Sequence, residues 1–124
     1  MLYTWKRYGG YECSSKGDKR FSAFYARLKD GRTIEEAYQL DVKGYRKFGN
    51  SPMLGKGKPP LDTTIDLLHE YVYLWRIWCC ENPELLYTLK DIVDKYDGVL
   101  SDMFAKTPIN QAHALSICLN ELTV

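Results

Sequence analysis

Apolar residues recur at intervals of three and four in the second half of the chain, a spacing that places them on one face of a helix. The first run follows a cap at Asp62 or Thr63. Asn82-Pro83 ends it and begins a second run, which reaches Asp97-Gly98, and Thr107-Pro108 begins a third. The apolar positions of the three runs are Ile65, Leu68, Tyr71 or Val72, Trp75 and Trp78; Leu85, Leu86, Leu89, Ile92 and Val93; and Ile109, Ala112, Ser116, Leu119 and Leu122.

The first half carries shorter, extended patterns. A strand is predicted at residues 2–5 and a turn at Gly9-Gly10. Residues 11–13 are then predicted to form the return strand of a hairpin. Residues 21–28 predict a second extended stretch, with Ser22 and Phe24 on one face and Phe21, Ala23 and Tyr25 on the other. A tight turn follows over residues 29–32.

A short helix is predicted after that turn. Thr33 suits its N-cap, and Glu36 is the capping-box partner three residues on. The helix runs from about Ile34 to Val42 and stops at Gly44. Residues 45–60 are too rich in glycine and proline for regular structure. Lys56 and Lys58 make this loop either a flexible cationic arm or a solvated linker.

These elements together predict an α+β fold that is predominantly α. A small N-terminal antiparallel sheet or hairpin packs on a bundle of four to five helices. The 124 residues fit a single domain, 1–124. No apolar run is long enough to span a membrane, and the first residues are too charged for a secretory signal, so a cytoplasmic protein with reduced cysteines is expected. The four cysteines lack a zinc spacing, so no metal or cofactor is expected.

The charge is unevenly distributed. Residues 1–60 hold thirteen Lys and Arg against six Asp and Glu, a net charge of +7, while residues 61–124 hold four against ten, a net charge of −6. The first half therefore suits an anionic partner, although mutual neutralisation of the two halves within the fold is an equal alternative.

Residues 14–44 mix cations, hydroxyls, aromatic rings and carboxylates, which favours a pocket for an anionic, partly aromatic ligand. Capping explains Glu36, whereas Glu35 points about 100° away, on the side of Tyr38 and Gln39, and is the candidate general base or a hydrogen-bond partner for a sugar hydroxyl. Lys16, Lys19 and Arg20 surround Gly17-Asp18, a weak signal for a phosphate-binding backbone nest. Trp75 and Trp78 are expected in the core, and His69 and His113 at its boundary.

The segment resembles the NADAR (YbiA-like) family. Phe21-Ser22-Ala23-Phe24-Tyr25 stands for the family's Leu/Phe-Ser-Asn-Phe-Tyr element, Asp30-Gly31 for its turn, and residues 33–39 with Lys43 for its helix. Asn82-Pro83-Glu84-Leu85-Leu86 is similar to a later family region. The chain departs from the family pattern at Ala23, where the family has a ligand-contacting Asn, and at Glu36, where it has His. The compact organisation also suggests a bacteriophage-encoded member, which would act in the host cytoplasm.

The resemblance implies an N-glycosidase acting on ADP-ribosyl or related ribosyl-phosphate substrates, with Glu35 as the catalytic carboxylate. The implied ligand-binding residues are Lys16, Lys19, Arg20, Ser22, Phe24, Tyr25, Tyr38, Gln39 and Lys43. The alternative is a non-catalytic accessory protein that binds a nucleotide or a host protein, in counter-defence or host takeover. Single-stranded nucleic-acid binding is a distant third, since the near-neutral pI and the lack of a binding motif count against it, and nucleic acid is otherwise expected only as an ADP-ribosylated substrate.

Overall fold

The computed structural model describes residues 2–42 and 64–122 of the chain. In these ranges it has four α-helices and three short strands. The helices are α1 (Ile34–Ala37), α2 (Thr64–Glu81), α3 (Pro83–Asp94) and α4 (Gln111–Leu122), and the strands are β1 (Thr4–Lys6), β2 (Tyr11–Glu12) and β3 (Val99–Ser101). A 3₁₀ turn spans Lys19–Phe21, and a π-helical turn, Tyr38–Val42, continues α1. The fold is thus mixed α and β, with about half of the described residues in helices.

The sheet is parallel, so the prediction of an antiparallel N-terminal hairpin is wrong. Its order is β1-β3-β2, and both outer strands run parallel to β3. Trp5 and Tyr11 both lie opposite Leu100, one on each side of the central strand. Because β3 lies between them, β1 and β2 cannot pair with each other, and residues 7–10 carry the chain from one side of β3 to the other, with the Gly10 amide bonded to Ser101 Oγ.

Residues 21–28 were predicted to be extended, and this is wrong for residues 21–26, whereas Arg27 forms an isolated antiparallel bridge with Thr33. The Ser22 carbonyl accepts hydrogen bonds from the amides of Tyr25 and Ala26, at 3.0 and 2.7 Å, which coils the chain into a tight turn. Phe21, Ser22 and Ala23 are therefore all buried, whereas Phe24 and Tyr25 are both exposed. An alternating strand cannot produce this pattern of consecutive buried residues.

The capping box at the start of α1 is confirmed. The Glu36 amide donates to Thr33 Oγ1 at 3.1 Å, and the Thr33 amide donates to Glu36 Oε1 at 2.8 Å. The predicted turn before it is also present, with Gly31 at a φ of 95° and its amide bonded to the Leu28 carbonyl. The predicted helix end at Gly44, Lys43, the loop over residues 45–60 and the cap at Asp62 or Thr63 lie outside the described residues.

The three later helices form where the apolar periodicity places them, with differences at their ends. α3 begins at Pro83 as predicted, but α4 begins at Gln111, three residues after Pro108. Asn110 caps α4, because its Oδ1 accepts a hydrogen bond from the His113 amide at 2.9 Å. Asp97 and Gly98, both with positive φ, turn the chain from α3 into β3.

The core lies between α2, α4 and the sheet. Trp75 and Trp78 are buried as predicted, with their rings edge to face at 5.3 Å, and Phe21 packs against Trp78 at 6.1 Å. α4 is buried around most of its circumference, so it is the central helix of the fold. Its first turn lies against the buried turn at Ser22 and Ala23.

No described helix has the length and apolarity needed to cross a membrane.

Candidate functional site

A cleft of about 890 Å³ opens between the start of α1 and the chain that joins β3 to α4. One side is formed by Phe24, Glu35 and Gln39, and the opposite side by residues 102–111. The residues that line it are Ser15, Phe24, Glu35, Gln39, Tyr71, Asp102, Phe104, Ala105, Lys106, Thr107, Ile109, Asn110 and Gln111. Carboxylates, amides, a phenol, a lysine and phenyl rings therefore share one cavity.

Glu35 is the half-buried carboxylate on the α1 side of the cleft. Its backbone amide donates to the Ala23 carbonyl at 3.0 Å, which fixes the start of α1 against the buried turn. Its Oε2 accepts a hydrogen bond from Gln39 Nε2 at 2.6 Å, one helical turn further on. Among the described residues Glu35 Oε1 has no hydrogen-bond partner, so this oxygen remains able to accept a bond from a ligand.

Glu36, the neighbouring carboxylate, faces away from the cleft. Its hydrogen bonds with the amide and side chain of Thr33 hold the pKa of Glu36 below its usual value. The division of roles expected from the sequence, with Glu36 as a cap and Glu35 on a different side of the helix, agrees with these contacts.

The opposite side of the cleft is held by Gln111, the first residue of α4. Its Oε1 accepts hydrogen bonds from the Ala23 amide and from Ser22 Oγ, and its Nε2 donates to Asp102 Oδ2 at 3.1 Å. The amide orientation is fixed, because a backbone N–H can only donate and a carboxylate can only accept. The second Asp102 oxygen, Oδ1, accepts from the Phe104 amide at 3.0 Å. Both oxygens of this buried carboxylate are thus already bonded.

Tyr71, from the middle of α2, completes the cleft. It is 4 % exposed, and its ring packs edge to face on Tyr38 at 4.9 Å. Burial raises the pKa of Tyr71; the Trp75 indole opposes this, and the nearby carboxylates of Glu35 and Asp102 raise it further. The phenol is therefore protonated at neutral pH.

The rim of the cleft is aromatic and cationic. Phe24 is 55 % exposed and Phe104 is 50 % exposed, an unusual position for phenyl rings unless they meet a partner. Lys106, also exposed, brings a positive charge to the same rim. This combination suits a ligand that has a flat ring and a phosphate.

Three of the site residues predicted from the sequence line the cleft together: Glu35, Phe24 and Gln39. Six others lie outside its lining: Lys16, Lys19, Arg20, Ser22, Tyr25 and Tyr38. Ser22 and Tyr38 are buried behind it, and Lys19 Nζ lies over the Tyr25 ring at 5.2 Å. Lys43 is not among the described residues.

Arg20 has a structural partner. Its guanidinium forms a two-pronged ion pair with Asp18, Nη2 to Oδ2 at 2.7 Å and Nε to Oδ1 at 3.0 Å. This contact, together with a hydrogen bond from the Tyr11 hydroxyl, lowers the pKa of Asp18 to about 2. The amides of Gly17 and Asp18 donate to the Ser14 and Glu12 carbonyls, so they do not point together at an anion as a phosphate nest requires.

Sequence reasoning missed the residues that the β3–α4 connection contributes, among them Asp102, Phe104, Lys106 and Gln111. The one local signal was Lys106, one of only four cations in the acidic second half of the chain. Ala23, at the position where the NADAR family has Asn, buries its side chain completely and contributes only backbone hydrogen bonds to the walls.

The described residues contain no cluster of three or more His, Cys, Asp or Glu side chains that would hold a metal ion. Comparison of the chain with protein-family models, with curated proteins and with solved structures found no match.

Proposed function

We propose that this protein is an N-glycosidase of NADAR type that acts on ADP-ribosyl or related ribosyl-phosphate substrates in the cytoplasm, or in the host cytoplasm if a bacteriophage encodes it. The observation that carries the proposal is the shared cleft. A half-buried Glu35, one of whose carboxylate oxygens has no hydrogen-bond partner among the described residues, lies in the same cavity as two exposed phenyl rings and a lysine.

The chemistry requires few groups. Cleavage of an N-ribosyl bond breaks the C1–N bond and forms a C1–O bond to water, through a transition state in which the ribose is oxocarbenium-like. Glu35 stabilises the positive charge on the sugar and accepts one proton from the attacking water, while the other proton stays on the new C1 hydroxyl. The proton on Glu35 then passes to a base that leaves as an anion, or to solvent when the base leaves neutral, as nicotinamide does. Phe24 and Phe104 stack on the flat ring of a substrate base, and Lys106 neutralises the negative charge of the phosphate.

A second candidate function is nucleotide or host-protein binding without turnover. The hydrogen bonds of Asp102 favour this candidate, because protein donors occupy both of its carboxylate oxygens. Of the two cleft carboxylates, Glu35 alone then has an oxygen without a partner among the described residues. One carboxylate is sufficient to bind a sugar hydroxyl, whereas glycoside hydrolysis usually employs two. Single-strand nucleic-acid binding remains third, because those cations of the first half that fall within residues 2–42 lie outside the cleft lining.

The test compares wild type, Glu35→Gln and Glu36→Gln. The substrates are nicotinamide adenine dinucleotide and an ADP-ribosylated oligonucleotide, and chromatography measures the released base. We expect release by wild type and by Glu36→Gln, whose glutamine still completes the capping box, and at least a hundredfold slower release by Glu35→Gln. A wild-type protein that releases nothing but binds ADP-ribose in a calorimeter would favour the second candidate.

A further inference from the structure

The polar groups of the cleft fall into two sets. On the side formed by residues 102–111, hydrogen bonds within the protein already occupy Asp102 and Gln111, and Asn110 is bonded to Thr107 and His113. These groups build the wall and have little capacity left for a ligand.

The side formed by α1, its π-helical continuation and α2 differs. Glu35, Gln39 and Tyr71, here called the α1–α2 wall, share one hydrogen bond among their side chains within the described residues, from Gln39 Nε2 to Glu35 Oε2. Two acceptor oxygens, Glu35 Oε1 and Gln39 Oε1, have no partner in residues 2–42 and 64–122, and the Tyr71 hydroxyl interacts there with the Trp75 indole through its oxygen, which leaves its proton to donate. Unbonded polar atoms at a half-buried surface mark the place where a ligand supplies the missing bonds.

Tyr71 is the buried member of this wall. The Trp75 indole N–H lies by the phenolic oxygen of Tyr71 and opposes the rise in the pKa of Tyr71, as a donor to that oxygen does, although within the described part of the chain Nε1 has no hydrogen bond of normal geometry. The phenolic proton is therefore left for the cleft that Tyr71 lines. A tyrosine that is 4 % exposed and presents its hydroxyl to a cavity is a positioned hydrogen-bond donor.

We infer that the Tyr71 hydroxyl donates a hydrogen bond to a hydroxyl oxygen of the substrate ribose, while Glu35 and Gln39 accept hydrogen bonds from its vicinal diol. The inference rests on the proposed function and assigns the sugar to the α1–α2 wall.

Donor and acceptor counts select the diol over the phosphate. The wall offers two acceptor oxygens and one phenolic donor, and a pair of neighbouring hydroxyls donates two protons and accepts at either oxygen. A phosphate group only accepts, so Glu35 would repel it. The raised pKa of Tyr71 keeps the phenol protonated throughout the physiological range, as a donor must be. The phosphates then face Lys106 at the rim, away from Glu35.

The experiment is a calorimetric titration of wild type, Tyr71→Phe and Tyr73→Phe with ADP-ribose and with ADP, which lacks the second ribose. Tyr71→Phe removes only the hydroxyl and keeps the buried ring. Tyr73 lies on the same helix, is 55 % exposed and does not line the cleft, so its variant is the matched control. Circular dichroism of each variant verifies the fold.

We expect Tyr71→Phe to weaken ADP-ribose binding about three- to tenfold and to leave ADP binding unchanged. Tyr73→Phe should behave as wild type. If Tyr71→Phe binds ADP-ribose as tightly as wild type does, the role of Tyr71 is overturned while the proposed function stands. If wild type binds no ADP-ribose at millimolar concentration, both are overturned. If Tyr71→Phe shows the selective loss but wild type cleaves no substrate, the enzyme fails and the ribose site stands.

Discussion

Gln111 Nε2 and Asp102 Oδ2 form a buried hydrogen bond of 3.1 Å that ties the first residue of α4 to the end of β3. The other end of the Gln111 amide accepts from the Ala23 backbone, and the Ala23 carbonyl accepts from the Glu35 amide. The two walls of the cleft are therefore joined by a continuous chain of hydrogen bonds. Its geometry depends on buried side chains that need not contact a ligand.

Asp102→Asn should destabilise the fold by about 2 kcal/mol, because one carboxylate oxygen becomes an NH₂ group that faces a donor, either the Phe104 amide or Gln111 Nε2. Asp91→Asn, an exposed change on α3, is the control and should stay within about 0.5 kcal/mol of wild type. Urea denaturation monitored by tryptophan fluorescence measures both. Equal midpoints for the two variants would show that the hydrogen bond is dispensable.

The Asp18–Arg20 pair should make stability depend on acid pH. The pKa of Asp18 is about 2 in the fold and near 3.8 in the unfolded chain, so its stabilising effect is fully present above about pH 4 and is lost as the pH falls towards 2. Asp18→Asn should cost about 1 kcal/mol at pH 7, a value reduced for the half-exposed arginine, and the difference from wild type should narrow below pH 4. Denaturation at pH 7, 4 and 2.5 tests this, and a constant difference at all three would contradict the pairing.

Adjacent glycines at the β1–β2 connection should respond differently to alanine. A Cβ on Gly10 would lie 2.5 Å from the Val99 carbonyl oxygen, a backbone atom of the central strand. A Cβ on Gly9 would have no atom within 4 Å, but Gly9 has a φ of 96°, which residues other than glycine rarely adopt. Gly10→Ala should therefore cost more than about 2 kcal/mol and Gly9→Ala about 1 kcal/mol, the usual strain of a side chain at positive φ. The ranking is read from urea midpoints, and the reverse order would refute the close approach of Gly10 to β3.

The exposed phenyl rings should matter for binding and not for folding. Phe24→Ala and Phe104→Ala should each weaken ADP-ribose binding about tenfold, in the range of base–aromatic stacking, and leave the urea midpoint unchanged. Tyr87→Ala, which removes an exposed ring from α3 outside the cleft, is the control. Calorimetry gives the affinities. Wild-type affinity in both phenylalanine variants would remove the rings from the proposed site.

Local patterns were reliable guides to the fold. The Thr33–Glu36 capping box, the proline at the start of α3 and the buried face of α2 each depend on residues within a few positions of one another. The sheet was wrong because its central strand has only three residues, Val99–Ser101, and its partners lie about ninety positions earlier. Three residues are too few to show an alternating pattern.

The residues of the site also fall into a group that local sequence could predict and a group that it could not. Phe24, Glu35 and Gln39 are close in sequence, and a shared turn and helix bring them to one surface. Asp102, Lys106 and Gln111 meet them only because α4 packs across the buried turn at Ser22 and Ala23. The coil at residues 22–26 was missed because the amides of Tyr25 and Ala26 donate back to the Ser22 carbonyl, which no alternation of residue types reveals.

The position of β3 between β1 and β2 has a consequence for the order of folding. Neither outer strand has a sheet partner until residues 99–101 have left the ribosome, since both pair only with that strand. The helices α2 and α3 depend mainly on local sequence, so they can form before β1 and β2 have a strand to pair with. The cleft is lined by the N-terminal segment on one side and by the β3–α4 connection on the other, so it is among the last parts of the molecule to assemble.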